Sequence, residues 1–364
     1  MRIAQIAPLM ESCPPHLYGG TERIVSYLTE ELVRQGHDVT LFASGDSYTT
    51  AQLEPSSETA LRLDTKIKDP IPDHIVMLDN VRARAEEFDV LHFHVDILHY
   101  PFIRDFVDRT VTTVHGRIDL EELKRVYSAF ADAPLVSISE DQRKVMPELN
   151  WVGTVYHGLP LNLLPFNPSP KGDYLAFLGR IAPEKGPERA IEIATRAGAK
   201  LKMAAKFDPA DQAYWESVVK PLVEANPKVE FIGEINEREK GSFLGNAIAL
   251  LFPIDWPEPF GMVMIEAMAC GTPVVAFRKG SSPEVIDEGA SGFLVGDADE
   301  AVAAVRQVAE LDRLKIRRRF EQRFSIERVA LEYLRTYRSL PGVGERLEAI
   351  DKIRVLMTSS PTAQ

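Results

Sequence analysis

Short apolar runs alternate with longer amphipathic segments along most of the chain. Near the amino end, the apolar run 3–6 precedes Ile24, Leu28 and Leu32, which recur at four-residue spacing, and another run begins at Val39. Apolar residues at every fourth position predict a helix with one buried face, and the two runs predict strands. The pattern therefore predicts one complete β-α-β unit.

The same alternation continues through both halves of the chain. Further runs of strand length are residues 90–93, 111–114, 135–138, 152–156, 174–178, 201–205, 229–232, 249–252 and 274–277. Because segments of helical length separate these runs, the strands should pair in parallel and be covered by helices on both faces. The sequence predicts an α/β fold with two doubly wound sheets.

A proline-rich stretch separates the two series of strands. Residues 158–172 hold four prolines and show neither a helical nor a strand period, which is typical of a linker between domains. The length of 364 residues is also about twice the ~150 residues of a typical domain. We therefore predict one domain over residues 1–160 and a second that begins at residue 161.

Charge and cysteine content exclude several classes of function. The 42 basic and 54 acidic side chains give a net charge of −12, which repels a nucleic-acid backbone, so no nucleic-acid partner is expected. Cys13 and Cys270 are far apart and lack metal-ligand spacing. Neither a disulfide framework nor a zinc site is predicted, and a reducing, cytoplasmic location is expected.

No part of the sequence predicts a membrane-spanning helix. The apolar stretches do not reach the ~20 uninterrupted residues that a bilayer requires. The basic residues of segment 313–323 do not share one helical face, and Asp312 and Glu321 dilute their charge. This segment favours a solvated helix face over peripheral contact with a membrane.

A paired glycine follows the first predicted strand, in the sequence Tyr18-Gly19-Gly20-Thr21-Glu22. It could present backbone amides and a positive helix end to an anion, or it could form a tight turn in which Thr21 caps the helix. The fingerprint GxGxxG does not follow the first strand, and no P-loop motif occurs. Dehydrogenases and P-loop nucleotide hydrolases are therefore disfavoured.

Two carboxylates form the most informative pattern, because seven residues separate Glu258 from Glu266. Glu258 lies in a proline-rich turn, and Gly261 opens a predicted helix that carries Glu266 roughly 8 Å farther along its axis. This separation suits contacts with two parts of one elongated ligand. The apolar neighbours of Glu266 favour a buried carboxylate with a polar partner over a solvent-facing one.

Three histidines are candidates for chemistry. His92 and His94 lie on the same face of a predicted strand, but no third ligand with recognisable spacing accompanies them, so metal ligation is disfavoured. A contact with a substrate is the favoured role of His94. His115 ends another predicted strand, where a structural role competes with a functional one.

Three segments together resemble the retaining family 4 glycosyltransferases of the GT-B fold. They are the Gly-Gly-x-Glu turn, residues 177–186 with the sequence FLGRIAPEKG, and the segment from Glu258 to Glu266 followed by AMACGTPVV. The resemblance implies two Rossmann-like domains that face each other across a cleft, with a nucleotide-sugar site in the C-terminal domain. It also implies a C-terminal helix that runs back to the first domain. The second domain is then expected over residues 161–335, and residues 336–364 are expected to join the first domain.

The resemblance assigns a role to each matching residue. Arg180 and Lys185 would neutralise the donor diphosphate where no metal does so. Glu266 would hold the ribose, and Glu258 would hold the hexose. Further donor contacts are expected from Gly19, Gly20 and the backbone amides of Phe260, Gly261 and Met262.

The expected catalytic group also includes a histidine. The resemblance places His115 near the donor sugar, where it would act with Glu258, Arg180 and Lys185. A contact between His94 and the acceptor or the sugar is expected as well.

The function implied is retaining transfer of a hexose from a nucleotide diphosphate sugar to an acceptor hydroxyl. A UDP-glucose-type donor is the first expectation and a GDP-mannose-type donor the second; the acceptor is a small molecule, a glycan or a lipid. No cofactor and no metal are expected. The alternatives are a non-catalytic protein that binds nucleotide sugars, and a GT-B epimerase or phosphorylase.

The absence of any metal-ligand spacing generates a first prediction. We expect transferase activity to persist in excess EDTA, because cationic side chains rather than a divalent ion would neutralise the leaving diphosphate. Loss of activity in EDTA, with recovery on adding magnesium or manganese, would reveal a metal site.

Overall fold

A computed structural model describes residues 1–16, 19–206 and 208–346. The chain forms two compact units. Unit 1 comprises Met1–Ile138, Val145–Val155 and the chain from Val329 onward, and unit 2 comprises Ser139–Lys144 and Tyr156–Arg328. The chain passes from the long first part of unit 1 into the main part of unit 2 between residues 155 and 156. The sequence analysis placed this boundary after residue 160. Residues 347–364 of the predicted returning segment lie outside the described residues.

Unit 1 contains a parallel sheet in the order β3-β2-β1-β4-β5-β6-β7. Its strands are β1 Arg2–Ile6, β2 Asp38–Ser44, β3 Gln52–Ser57, β4 Val90–Phe93, β5 Thr110–Thr113, β6 Leu135–Ser137 and β7 Trp151–Thr154. Its helices are α1 Gly20–Arg34, α2 Ile71–Ala83 and α3 Glu121–Ala129. The apolar face of α1, with Ile24, Leu28 and Leu32, is buried as its spacing predicts.

The edge strand β3 was not predicted. Its sequence, QLEPSS, is mostly polar and has no apolar run. An edge strand needs only one hydrogen-bonded neighbour, so it tolerates both polar side chains and Pro55. Hydrophobic pattern alone therefore could not reveal it.

Unit 2 contains a second parallel sheet, in the order β10-β9-β8-β11-β12-β13. Its strands are β8 Tyr174–Arg180, β9 Lys200–Lys206, β10 Val229–Gly233, β11 Ala249–Phe252, β12 Val274–Phe277 and β13 Gly292–Val295. The helices are α4 Glu140–Arg143, α5 Pro187–Ala197, α6 Gln212–Tyr214, α7 Lys220–Ala225, α8 Glu237–Gly245, α9 Met262–Ala269, α10 Ser282–Val285, α11 Ala298–Gln307 and α12 Arg313–Phe324. These two sheets confirm the predicted α/β fold with two parallel, doubly wound domains.

One long helix is shared by the two units. Helix α13, Ile326–Ser339, begins in unit 2 and belongs to unit 1 from Val329 onward. Its residues Tyr333 and Tyr337 are buried within unit 1. No described helix has the length and apolar character needed to cross a membrane.

The strand order fixes where each unit can bind a ligand. In unit 2 the order reverses between β8 and β11, and in unit 1 it reverses between β1 and β4. At such a switch point the loops after two adjacent strands diverge, which opens a crevice at the carboxyl ends of the strands. The site in unit 2 is therefore expected in the loops after β8 and β11.

Candidate active site

The loop after β8 is a tight turn braced against the end of β11. It runs through a 3-10 turn, Pro183–Lys185, to Gly186, which has a φ of +68°. A Cβ on Gly186 would lie 2.3 Å from the carbonyl oxygen of Pro253. Only glycine satisfies both the left-handed backbone and this close approach.

Arg189, on α5, ties the two loops together. Its Nε donates to the carbonyl oxygen of Pro253 at 2.9 Å, and its Nη2 donates to that of Pro183 at 3.1 Å. One guanidinium therefore fixes the loop after β8 against the loop after β11. Sequence patterns do not indicate this role, because both bonds go to backbone atoms.

Arg180 is the last residue of β8, and two carboxylates hold its guanidinium. Nη2 donates to Glu184 Oε1 at 2.7 Å, and Nη1 donates to Asp211 Oδ2 at 3.4 Å. About a third of the Arg180 side chain, 31%, remains exposed. The cation is therefore positioned at the switch point and still reaches solvent.

Lys185 and Glu258 form an ion pair that joins the two loops. Lys185 Nζ donates to Glu258 Oε2, and the two side chains are only 18% and 12% exposed. The indole Nε1 of Trp256 donates to the same oxygen at 2.8 Å. Charge-assisted hydrogen bonds in a partly desolvated place are strong, so this pair sets the geometry of the site.

The loop after β12 closes around Glu258. Gly280 has a φ of +54°, and a Cβ there would lie 2.4 Å from both the nitrogen and the carbonyl oxygen of Glu258. The amide of Ser281 donates to that carbonyl oxygen at 3.0 Å. The proline-rich turn that carries Glu258 is therefore packed directly against backbone.

Gly261 immediately precedes α9, close to where the sequence analysis predicted the start of a helix. Its φ is +76°, and a Cβ would lie 2.8 Å from Met264 Cε and 2.9 Å from Phe252 Cζ. Phe260 is buried beside it, with its carbonyl oxygen accepting the Ser281 hydroxyl at 2.7 Å. Met262 is the first residue of the helix, so its amide belongs to the positive end of the helix dipole.

Glu266 lies inside α9 and has a cationic partner on α8. It is 4% exposed, and Lys240 Nζ donates to its Oε1 at 2.7 Å. Within the described part of the chain, the other oxygen, Oε2, has no hydrogen-bond partner. Lys240 could not be paired with Glu266 from the sequence, because nothing in their spacing indicates that α8 and α9 pack together.

In unit 1, the histidines and α13 form a buried hydrogen-bond network. His94 Nδ1 lies 2.8 Å from His115 Nε2, and His94 Nε2 lies 2.8 Å from Gln5 Oε1. Gln5 Nε2 in turn donates to the Tyr337 hydroxyl at 3.2 Å. The structure therefore brings His94 and His115 together, at the carboxyl ends of β4 and β5.

His92 belongs to the same network. Its Nδ1 lies 2.7 Å from the Tyr337 hydroxyl and its Nε2 lies 2.7 Å from Thr113 Oγ1. Burial lowers the pKa of His92 well below its usual range, and desolvation lowers the pKa of His115 too. Both rings are therefore neutral at neutral pH, and their hydrogen bonds within the network involve no charged imidazole.

Two carboxylates lie at the glycine turn of unit 1: Glu22 in the first turn of α1, and Glu11, which packs against Gly19. Gly19 immediately precedes the helix, and Gly20 is its first residue. Burial, with a contribution from Glu11, raises the pKa of Glu22 to about 7. Arg62 Nη1 donates to Glu11 Oε1 at 2.7 Å. An anion at this turn would therefore meet negative charge as well as backbone amides.

Two family models match the chain. The model described as Glycosyltransferase Family 4 matches residues 18–145, and the model described as Glycosyl transferases group 1 matches residues 165–324. Glycogen synthase of Mycobacterium tuberculosis (strain H37Rv) is 25% identical over 351 residues, which cover 82% of this chain and 84% of that protein.

Solved structures share the whole fold. Sucrose-phosphate synthase from Thermosynechococcus elongatus aligns with a TM-score of 0.74 at 20% identity, covering 93% of this chain and 98% of that one. Alr3699/HepE of Anabaena, in complex with UDP and glucose, aligns with a TM-score of 0.71 at 18% identity, covering 93% and 100%. The two sheets and their loops therefore define a GT-B protein. The chain belongs to the family 4 glycosyltransferases, and it is a glycosyltransferase.

The buried pair of Lys240 and Glu266 generates a prediction about stability. We expect Lys240→Met to lower the free energy of unfolding by about 3 kcal/mol, because the Glu266 carboxylate stays buried without its cation. Urea denaturation followed by circular dichroism measures this change.

Lys220→Met is the matched control. Lys220 pairs with Glu216 on the surface, where the two side chains are 42% and 48% exposed, so its loss should cost less than about 1 kcal/mol. An equally small cost for both variants would show that Lys240 does not stabilise Glu266.

Proposed function

We propose that the protein transfers a hexose from a UDP-glucose-type donor to an acceptor hydroxyl, with retention of anomeric configuration and without a metal. The observation that carries this proposal is the Lys185–Glu258 ion pair at the switch point of unit 2, with Arg180 at the end of the strand that precedes Lys185. It combines cations suited to a diphosphate with a carboxylate suited to sugar hydroxyls.

The diphosphate is the part of the donor assigned to Arg180 and Lys185. Carboxylates hold both cations: Glu184 and Asp211 hold Arg180, and Glu258 holds Lys185. A diphosphate carries enough charge to compete for both cations, and its charge grows as the bond to the sugar breaks. The amides at the start of α9, at Gly261 and Met262, would add hydrogen bonds to the phosphate or the sugar.

The two glutamates are assigned to the two sugars of the donor. Both Lys185 and Trp256 contact Oε2 of Glu258, and in the described residues Oε1 has no partner, so it can accept a hexose hydroxyl. Glu266 likewise keeps Oε2 for the ribose while Lys240 holds Oε1. In both glutamates one carboxylate oxygen is held by a lysine and the other is available to a ligand, which supports a role in binding rather than a purely structural one.

In the proposed reaction, the acceptor oxygen bonds to the anomeric carbon on the face from which the diphosphate leaves. The bond between that carbon and the phosphate oxygen breaks, and the acceptor proton passes to the departing phosphate oxygen. Arg180 and Lys185 stabilise the charge that develops on the phosphate. His115 remains a candidate contact of the reacting sugar and His94 of the sugar or the acceptor.

The comparisons support the choice of donor. Alr3699/HepE of Anabaena is known in complex with UDP-glucose and with UDP and glucose, and two relatives of another kind are phosphatidyl-myo-inositol mannosyltransferases. UDP-glucose is therefore the first donor to test and GDP-mannose the second. The acceptor class, a small molecule, glycan or lipid, is left to the assay.

A donor panel tests the function directly. UDP-, ADP- and GDP-sugars are incubated with water, sugar phosphates, oligosaccharides or glycolipids as acceptors, and the products are separated. Nucleoside diphosphate with a glycosylated or hydrolysed sugar supports transfer. A free epimer or a sugar phosphate would indicate an epimerase or a phosphorylase. Thermal stabilisation by a donor without any product would indicate a binding protein.

The assigned cations generate a prediction about turnover. We expect Arg180→Ala and Lys185→Ala each to lower turnover by roughly 10²-fold or more, the scale of losing one group that stabilises developing charge. Arg196→Ala is the control, because Arg196 pairs with Glu192 and is 42% exposed on α5. Turnover near that of the control in both variants would overturn the diphosphate assignment.

A further inference from the structure

Trp256 contacts both members of the Lys185–Glu258 pair, and the sequence analysis gave it no role. Its Nε1 donates to Glu258 Oε2 at 2.8 Å, and its ring centroid lies 4.8 Å from Lys185 Nζ. We propose that Trp256 is a positioning residue, which fixes the Glu258 carboxylate and the Lys185 ammonium for hexose transfer. The inference rests on the proposed function and deepens it.

A tight turn brings the indole to the carboxylate. The amide of Glu258 donates to the carbonyl oxygen of Trp256 at 2.9 Å, which closes the turn across Pro257. Pro257 and Pro259, on the two sides of Glu258, each have a φ fixed by the proline ring. The backbone of Glu258 also leaves no room for a Cβ at Gly280. The turn is therefore rigid, and the two side chains stay within hydrogen-bond reach.

The direction of the hydrogen bonds gives Trp256 its function. Lys185 and Trp256 both donate to Oε2 of Glu258. Two donors on one oxygen fix the orientation of the carboxylate, so the other oxygen, Oε1, faces a constant direction. With the lysine alone, the carboxylate could turn about a single contact, and a sugar hydroxyl would lose its aligned acceptor.

The face of the same ring stabilises the ammonium. A cation over an aromatic ring is attracted by the ring's negative face. When a bound diphosphate weakens the ion pair between Lys185 and Glu258, the contact with the ring still holds the ammonium in place. The indole thus serves both partners by two different interactions.

Trp256→Phe separates these interactions, because it keeps a ring and removes the N–H donor. With UDP release from UDP-glucose as the assay, we expect kcat to fall and the donor KM to rise, so that kcat/KM drops roughly tenfold or more, the scale of one lost hydrogen bond to a charged group. Trp215→Phe is the matched control, because Trp215 packs against Phe231 elsewhere in unit 2, with ring centroids 4.5 Å apart and ring planes tilted by 42°. An unchanged kcat in Trp256→Phe would overturn the inference.

A double-mutant cycle distinguishes positioning from a general structural effect. If Trp256 acts through Glu258, Trp256→Phe should lower kcat little further in a Glu258→Gln background. Losses that multiply independently would show that Trp256 acts on folding or packing. If the wild-type protein releases no nucleoside diphosphate from any donor, the proposed function fails; an active wild type with a normal Trp256→Phe overturns only this inference.

If Trp256→Phe does not fold, a fluorescence measurement can still test the contact between Trp256 and Glu258. The chain has 3 tryptophans, so Trp151→Phe combined with Trp215→Phe leaves Trp256 as the sole indole. Adding Glu258→Gln should then shift the fluorescence emission of Trp256, because its hydrogen-bond acceptor loses its charge. An unchanged spectrum would overturn the contact on which the inference rests.

Discussion

The ion pair between Lys185 and Glu258 is the interaction on which the site depends. It joins two loops that leave the sheet of unit 2 on either side of the switch point. Each loop carries a charge that would be costly to bury alone, and pairing offsets part of that cost. A ligand that offers negative charge to the lysine and hydroxyls to the glutamate can replace the pair without leaving either group unsatisfied.

Several backbone features exist because these loops pack so closely. Gly186 and Gly280 each occupy a position where a Cβ would meet backbone atoms at 2.3 and 2.4 Å, and Arg189 fixes both loops through their carbonyl groups. A rigid backbone presents the charged side chains without further ordering when a ligand binds. Gly186 and Gly280 are therefore needed for the loops to pack closely, whereas the charged side chains are needed to bind the ligand.

Sequence reasoning recovered the parts of the molecule that depend on local pattern. Buried strands and the apolar face of α1 have clear periods, and the charged motif at Arg180 and Lys185 is contiguous. It missed what depends on packing between distant segments: Lys240 opposite Glu266, and Arg189 bonded to backbone carbonyls. It also missed β3, whose polar edge position leaves no apolar pattern. The roles of the individual site residues remain predictions.

The central claim is that donor binding exchanges the Lys185–Glu258 pair for phosphate on the lysine and hexose on the glutamate. Calorimetric titration of Glu258→Gln with UDP and with UDP-glucose tests it most directly. The account predicts that UDP binds at least as tightly as to the wild type, because Lys185 is released. UDP-glucose should bind roughly tenfold or more weakly, because the hexose loses a charged acceptor. Equal weakening of both ligands, or of neither, would contradict the account.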